Sequence, residues 1–188
     1  MKLREANLED VAIFVRIFEL ASEGFSNYFW QQTAGPDGDE MAVARQSMAK
    51  KLTNAAPNSN MVAEIDGKVV GGVNSYKIGP EPEEIGADEN PIVVPMIELE
   101  NQAIQTRYIN ALAVLPEFQG RGIGKALLLE LAKHAGKSGM SLIVFDHNEQ
   151  ARRLYQSEGY KAKSTRPCLP GGWKSECKNY ILMTRAAN

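Results

Sequence analysis

Apolar residues along this chain switch repeatedly between a strand-like run and a spacing of three and four, and each switch marks an element. Residues 2–6 read as a first strand. Asn7 then caps a helix, with Asp10 three residues later as the carboxylate partner of a capping box. Val11, Phe14, Val15, Phe18, Leu20 and Ala21 carry that helix to Gly24. The run Phe25-Ser-Asn-Tyr-Phe-Trp30 is expected as an unusually aromatic connection. After the turn at Gly35-Pro-Asp-Gly-Asp, Asp39 caps a second helix through Met41, Ala44, Met48 and Leu52, ending before Pro57. Residues 60–65 and 68–78 then form a hairpin around Asp66-Gly67, a pair suited to the tight primed turns. Gly71-Gly72 inside its second strand predicts a bulge or a close backbone approach.

The pattern breaks down over residues 79–106, where prolines and glycines punctuate a segment with no Lys or Arg. Seven carboxylates sit there, at Glu81, Glu83, Glu84, Asp88, Glu89, Glu98 and Glu100. So long a connection is read either as a solvated acidic loop or as a lid that attracts a cationic amine. Order returns with Ile109-Asn-Ala-Leu-Ala-Val-Leu, a strand ended by Pro116. A glycine-rich turn follows, then a helix through Ile123, Leu127, Leu128, Leu131, Ala132 and Ala135 that stops near Gly136. Residues 141–146 make a fifth strand, 147–148 a turn, 149–158 a short helix closed by Gly159, and 160–166 a strand. Residues 168–178 form a loop containing Pro170-Gly171-Gly172, and 179–185 the last strand.

The glycine turn is the segment with chemistry in it. In Gln119-Gly120-Arg121-Gly122-Ile123-Gly124-Lys125-Ala126, alternate glycines let successive N–H groups curl into one concavity. The helix that follows adds its own unpaired N–H groups and partial positive end, and Arg121 and Lys125 add formal charge. A phosphate or diphosphate suits such a turn. The Walker A pattern fails, because Gln119 stands where its first glycine belongs and Ala126 replaces the magnesium hydroxyl. The dinucleotide pattern fails at Lys125. What fits is Gln-x-x-Gly-x-Gly at Gln119, Gly122 and Gly124.

With that signature, its flanks, and the later block Asn148-Glu-Gln-Ala-Arg-Arg-Leu-Tyr-Gln-Ser-Glu-Gly-Tyr160, the chain resembles the GNAT superfamily of acyl-CoA-dependent N-acyltransferases. The resemblance implies an α/β GNAT fold: a mixed, mostly antiparallel sheet of six or seven strands flanked by helices, with strands 4 and 5 splayed. It also implies acetyl-CoA as the cofactor and a small-molecule or peptide amine as acceptor. Main-chain groups of Leu112, Ala113 and Val114 would pair with the pantetheine arm. The amides of Gln119, Gly120, Arg121, Gly122, Ile123, Gly124, Lys125 and Ala126 would hold the diphosphate. Asn148 would bond the arm or cap its helix, or do both. Tyr155 would protonate the departing sulfur, with packing beside Ala151 as the plainer role. Aromatics of residues 25–30 would border the acceptor cleft or fill the core. Many members carry a glutamate where Tyr108 stands here, and this leaves Glu98, Glu100 or a water near Asn110 as the base, or no base at all, the enzyme taking the neutral amine and passing its proton to solvent. It also leaves room for a non-catalytic acyl-CoA sensor. A homodimer is compatible with the family.

Composition narrows the classes further. At 188 residues one domain spanning 1–188 is expected. A net charge of −2 offers no basic field for nucleic acid. No apolar run reaches membrane-spanning length, and the N-terminus lacks a signal-peptide core, so a cytoplasmic enzyme is expected. Cys168 and Cys177 are too far apart for C-x-x-C and have no paired histidines, so no metal site is expected. His134 and His147 are read as surface residues, and Trp173 as a cover for the acceptor pocket or a packing residue.

Overall fold

The computed structural model describes residues 1–169 and 171–187. Their strands hydrogen-bond in the order β1-β2-β3-β4-β5-β7-β6, and every pair with a described register is antiparallel except β4–β5. Helices accompany the sheet, so the expected mixed α/β architecture is what the chain adopts. The chain forms two compact units, residues 1–74 with 111–131, and residues 75–110 with 132–188. Among the described residues no helix is long and apolar enough to cross a membrane.

The first unit opens with β1 (Lys2–Glu5), and the capping box then forms, although it caps a 3-10 turn over Leu8–Asp10 that leads into the helix and not the helix itself. Asn7 accepts the Glu9 N–H at 2.8 Å and gives its own N–H to Asp10 at 2.9 Å. Arg4 grips both Asp10 oxygens, at 2.7 and 2.9 Å, so the buried carboxylate is satisfied from two sides. α1 (Val11–Ser22) ends where Glu23 and Gly24 take positive φ. The aromatic stretch that follows is not a connection. It is α2 (Phe25–Ala34), which restarts from Gly24. α3 (Glu40–Thr53) starts at Asp39, which accepts the Ala42 N–H at 2.9 Å. Phe14, Ile17, Phe18, Trp30, Ala44 and Met48 pack into one core with Val62 and Ala111, so Trp30 is a packing residue.

β2 (Asn60–Ile65) and β3 (Lys68–Lys77) pair through the Asp66-Gly67 turn, with φ of 51° and 76° as a type I′ turn requires. Both readings of Gly71-Gly72 hold. The register shifts beside Ala63 and Glu64, and a Cβ on Gly71 would lie 2.9 Å from the Ala113 carbonyl oxygen. β4 (Arg107–Val114) and α5 (Ile123–Ala132) follow. α5 is shorter than its apolar pattern suggests. Beyond it, the Ala135 N–H bonds the Ala132 carbonyl in a tight turn, and Gly136 takes φ 73°.

In the second unit the acidic segment is not structureless, for it contains α4 (Val94–Glu100), with Pro95 in its first turn. Leu99 anchors α4 in a core with Tyr108, Tyr180 and Leu182. Glu81, Glu83, Glu84 and Asp88 remain exposed, and Glu89 is half-buried. β5 (Met140–Phe145) pairs in parallel with β4 over Arg107–Ile109 alone, while against β7 (Asn179–Arg185) it pairs along its whole length. α6 (Glu149–Ser157) and β6 (Lys161–Pro167) complete the unit. Pro170 of the expected loop lies outside the described residues.

Candidate active site

Strand β4 ends at Val114, and Leu115 and Pro116 lead into a short 3-10 turn before the glycines. Gly120 and Gly122 have φ of 73° and 77°, which L residues reach only at a cost, and a Cβ at either would meet no atom within 4 Å. The backbone there faces open space. The first rung of the α5 ladder is the Ala126 N–H to the Gly122 carbonyl, at 3.0 Å. The N–H groups of Ile123 and Gly124 therefore precede the ladder, at the positive end of the helix.

Two side chains brace this turn. Gln119 Nε2 donates to the Val114 carbonyl at 3.1 Å, tying the turn to the strand. Arg121 donates to the Glu117 carbonyl at 3.0 Å and lies 5.0 Å from the Phe118 ring centre. Phe118 also carries Lys68, with its ammonium 5.4 Å from the ring centre. Lys68 was invisible to a motif search, because β3 delivers it from some fifty positions upstream. The result is a cradle of main-chain N–H groups next to Phe118, whose ring carries Arg121 and Lys68, the latter paired with Glu117 at 3.7 Å; the N–H groups suit a diphosphate.

The second unit presents a different set of groups. Asn148 accepts the Ala151 N–H at 3.0 Å and so caps α6. Tyr155, on α6, is buried, with its ring 5.7 Å from that of Tyr160. Burial pushes the Tyr155 phenol up to about 12, which keeps its proton on at neutral pH. Tyr108, in the position where the resemblance implies a glutamate, is buried on β4.

Tyr108 is not alone. Tyr76 donates to Glu100 Oε2 at 2.6 Å, Tyr108 hydrogen-bonds the same carboxyl, and the two rings lie 5.2 Å apart. Burial raises the Glu100 carboxyl above its ordinary range, Glu83 adds to this, and the two phenols only partly offset it. Glu98, the other candidate on α4, is taken by the guanidinium of Arg166. Tyr76 is 38% exposed, so solvent reaches the Glu100 pair.

His134 is exposed, as expected. His147 is not a simple surface residue, since its ring stacks on Phe145 at 5.9 Å with planes 5° apart. Trp173 packs on Phe145 at 5.4 Å. Cys177 is buried and comes close to Asp146 and His147, a juxtaposition hidden by about thirty intervening residues.

Comparison with known proteins adds three findings. The model of the acetyltransferase (GNAT) family matches residues 16–160. An Archaeoglobus fulgidus protein described as an uncharacterized N-acetyltransferase is 29% identical over 161 residues, covering 84% of this chain and 91% of its own. Two solved structures share the fold. PaiA N-acetyltransferase from Thermoplasma acidophilum, in complex with coenzyme A, has a TM-score of 0.61 at 15% identity, over 98% of each chain. YncA from Salmonella typhimurium, with its cofactor acetyl-CoA, has a TM-score of 0.62 at 19% identity, over 100% of this chain and 94% of its own.

Proposed function

Because the chain belongs to the acetyltransferase (GNAT) family, we propose that it moves an acetyl group from acetyl-CoA to a primary amine, with Glu100 as base and Tyr155 as acid. The observation that carries the reading is the glycine turn. Its left-handed Gly120 and Gly122 and the N–H groups ahead of the α5 ladder make an anion cradle directly after the strand that the family uses. The structural neighbours PaiA and YncA hold coenzyme A and acetyl-CoA respectively, which supports the same ligand class here.

Acetyl-CoA supplies an activated thioester. The turn amides from Gly120 to Lys125 hold its diphosphate, those of Gln119 and Ala126 being spent on the Pro116 and Gly122 carbonyls, and main-chain groups of Leu112, Ala113 and Val114 hold its arm, with one N–H polarising the thioester carbonyl. Glu100 accepts a proton from the acceptor ammonium, directly or through water, and frees the lone pair that attacks. Its raised pKa makes it a better base near neutral pH than an ordinary carboxylate. Tyr76 and Tyr108 orient that carboxylate. Tyr155 donates its proton to the sulfur as the C–S bond breaks; a phenol pushed up to about 12 carries that proton throughout the neutral range.

The test is thiol release from acetyl-CoA with a panel of primary amines, with acetylated product identified by mass. Amine-dependent thiol release matched by product is expected. Coenzyme A binding with no turnover across the panel would overturn the enzyme in favour of the acyl-CoA sensor.

A further inference from the structure

At the carboxyl end of β5 the chain turns through Asp146 and His147 before Asn148 caps α6. The loop 168–178 returns to the same place and brings Cys177 with it. One donor atom from each of Asp146, His147 and Cys177 lies within 4.8 Å of the others. We propose that Asp146, His147 and Cys177 form a zinc-class metal site, with its fourth position open to water.

The geometry is close to what such an ion needs. Bonds of about 2.0–2.3 Å place two tetrahedral ligands roughly 3.3–3.7 Å apart. His147 Nδ1 and Asp146 Oδ1 are 3.8 Å apart, too long for a hydrogen bond and near the spacing of two atoms sharing one ion. Side-chain rotation of about 1 Å brings in the remaining donor. The Cys177 thiol donates to the Asn179 carbonyl at 3.4 Å, a bond given up when the sulfur takes an ion as thiolate. The Cys168 N–H bonds the Lys178 carbonyl at 2.9 Å and holds the two ends of the loop together.

The surroundings orient the ligands as well. Asp146 accepts the Lys178 N–H and the Asn179 side-chain N–H, each at 3.1 Å, one on each oxygen. With the backbone N–H groups of Asn179 and His147, which also bond this carboxylate, they fix its plane, and an ion would take the place of one of them. Stacking on Phe145 fixes the His147 ring. Hydrogen bonds and ring stacking of this kind set ligand direction in known metal centres. A set of thiol, imidazole and carboxylate favours zinc or cobalt over magnesium or calcium, which take oxygen donors alone. An ion there would also pin the residue immediately before the α6 cap. The inference is independent of the catalytic reading.

The probe is Co²⁺, followed by Zn²⁺, added to the chelator-treated, fully reduced protein. Visible bands of tetrahedral cobalt with a thiolate-to-cobalt charge-transfer band are expected, and Zn²⁺ should bleach both at one equivalent. Cys177→Ser should remove the charge transfer from Cys177, and His147→Ala should weaken Co²⁺ binding at least tenfold. Because Cys177 is buried, Asp146→Asn with unchanged circular dichroism provides a second variant, and it too should weaken binding. Absence of these bands in the reduced protein, binding unaltered in the variants, or recovery of the two thiols as a disulfide that excludes metal would overturn the assignment.

Discussion

Replacing Glu100 by Gln tests the catalytic proposal with little change of shape. The amide oxygen can still accept the Tyr76 hydroxyl, so volume and the 2.6 Å hydrogen bond survive while basicity goes. A positioned base contributes about 10²–10⁴ in rate. Glu100 is reached by solvent beside the exposed Tyr76, so water takes over part of the proton transfer and the lower half of that range applies. The expected loss in kcat/KM is about 10²–10³, or roughly 2.7–4 kcal/mol of transition-state stabilisation. The pH profile gives a sharper reading. A base works only when deprotonated, so wild-type activity is lost as pH falls through the Glu100 pKa, which burial raises. That acid limb disappears in Glu100→Gln. Tyr76→Phe removes a bond that lowers the pKa, so its limb should move to higher pH. Coenzyme A affinity should not change in either variant. A Glu100→Gln enzyme with wild-type rate and an unchanged acid limb would refute the assignment, as would a Glu98→Gln enzyme that reproduces its defect.

Other substitutions test separate parts of the argument. Tyr155→Phe should lower single-turnover acetyl transfer about a hundredfold, at the low end for a general acid because a thiolate leaves readily, with coenzyme A affinity retained. Gly122→Glu should cost about 1–2 kcal/mol of stability from the left-handed backbone, read by denaturant melting. It should also weaken coenzyme A on the order of a hundredfold by calorimetry, through a carboxylate facing the diphosphate. Asp10→Asn should cost about 2 kcal/mol, because it leaves the Arg4 fork and the capping box only partly answered. Burial raises the Asp10 pKa, but the bonds from Arg4 and Asn7 outweigh it and the net shift is downward. The pair therefore stabilises the fold above the unfolded value of about 4 and loses that contribution as pH falls further. Urea titrations over that acidic range should show a steeper decline for wild type than for Asp10→Asn.

Elements signalled by neighbouring residues were legible in the sequence. The Asn7–Asp10 box, the Asp39 cap and the Asp66-Gly67 turn each act through bonds spanning a few residues, and each forms at the residues read. The left-handed glycine turn is legible for the same reason, since its residues are contiguous. α2 was missed because glycine at its start reads as an ending, yet Gly24 at φ 87° only changes the helix direction before Phe25 continues. α4 was hidden by acidic, proline-rich neighbours, although Pro95 sits in a first turn where its missing N–H costs nothing. Lys68 beside Phe118, and Cys177 beside Asp146, depend on strand order and have no local signal.

The choice between Glu98 and Glu100 shows where local reading stops. Both lie on α4, and at 3.6 residues per turn two positions apart means about 200° of rotation, so they point to opposite sides of the helix. A sequence with two candidate carboxylates at that spacing therefore contains one base at most, whichever face the helix turns inward. Leu99 fixes the rotation by burying itself with Tyr108, Tyr180 and Leu182. Glu98 is thereby turned to Arg166, and Glu100 to Tyr76 and Tyr108. The tyrosine found in the place of the family glutamate then has a role of its own. It is no base, since burial holds its phenol protonated. It can still donate to the carboxylate that α4 delivers, and under the proposed reaction that carboxylate stands in for the charge missing from β4.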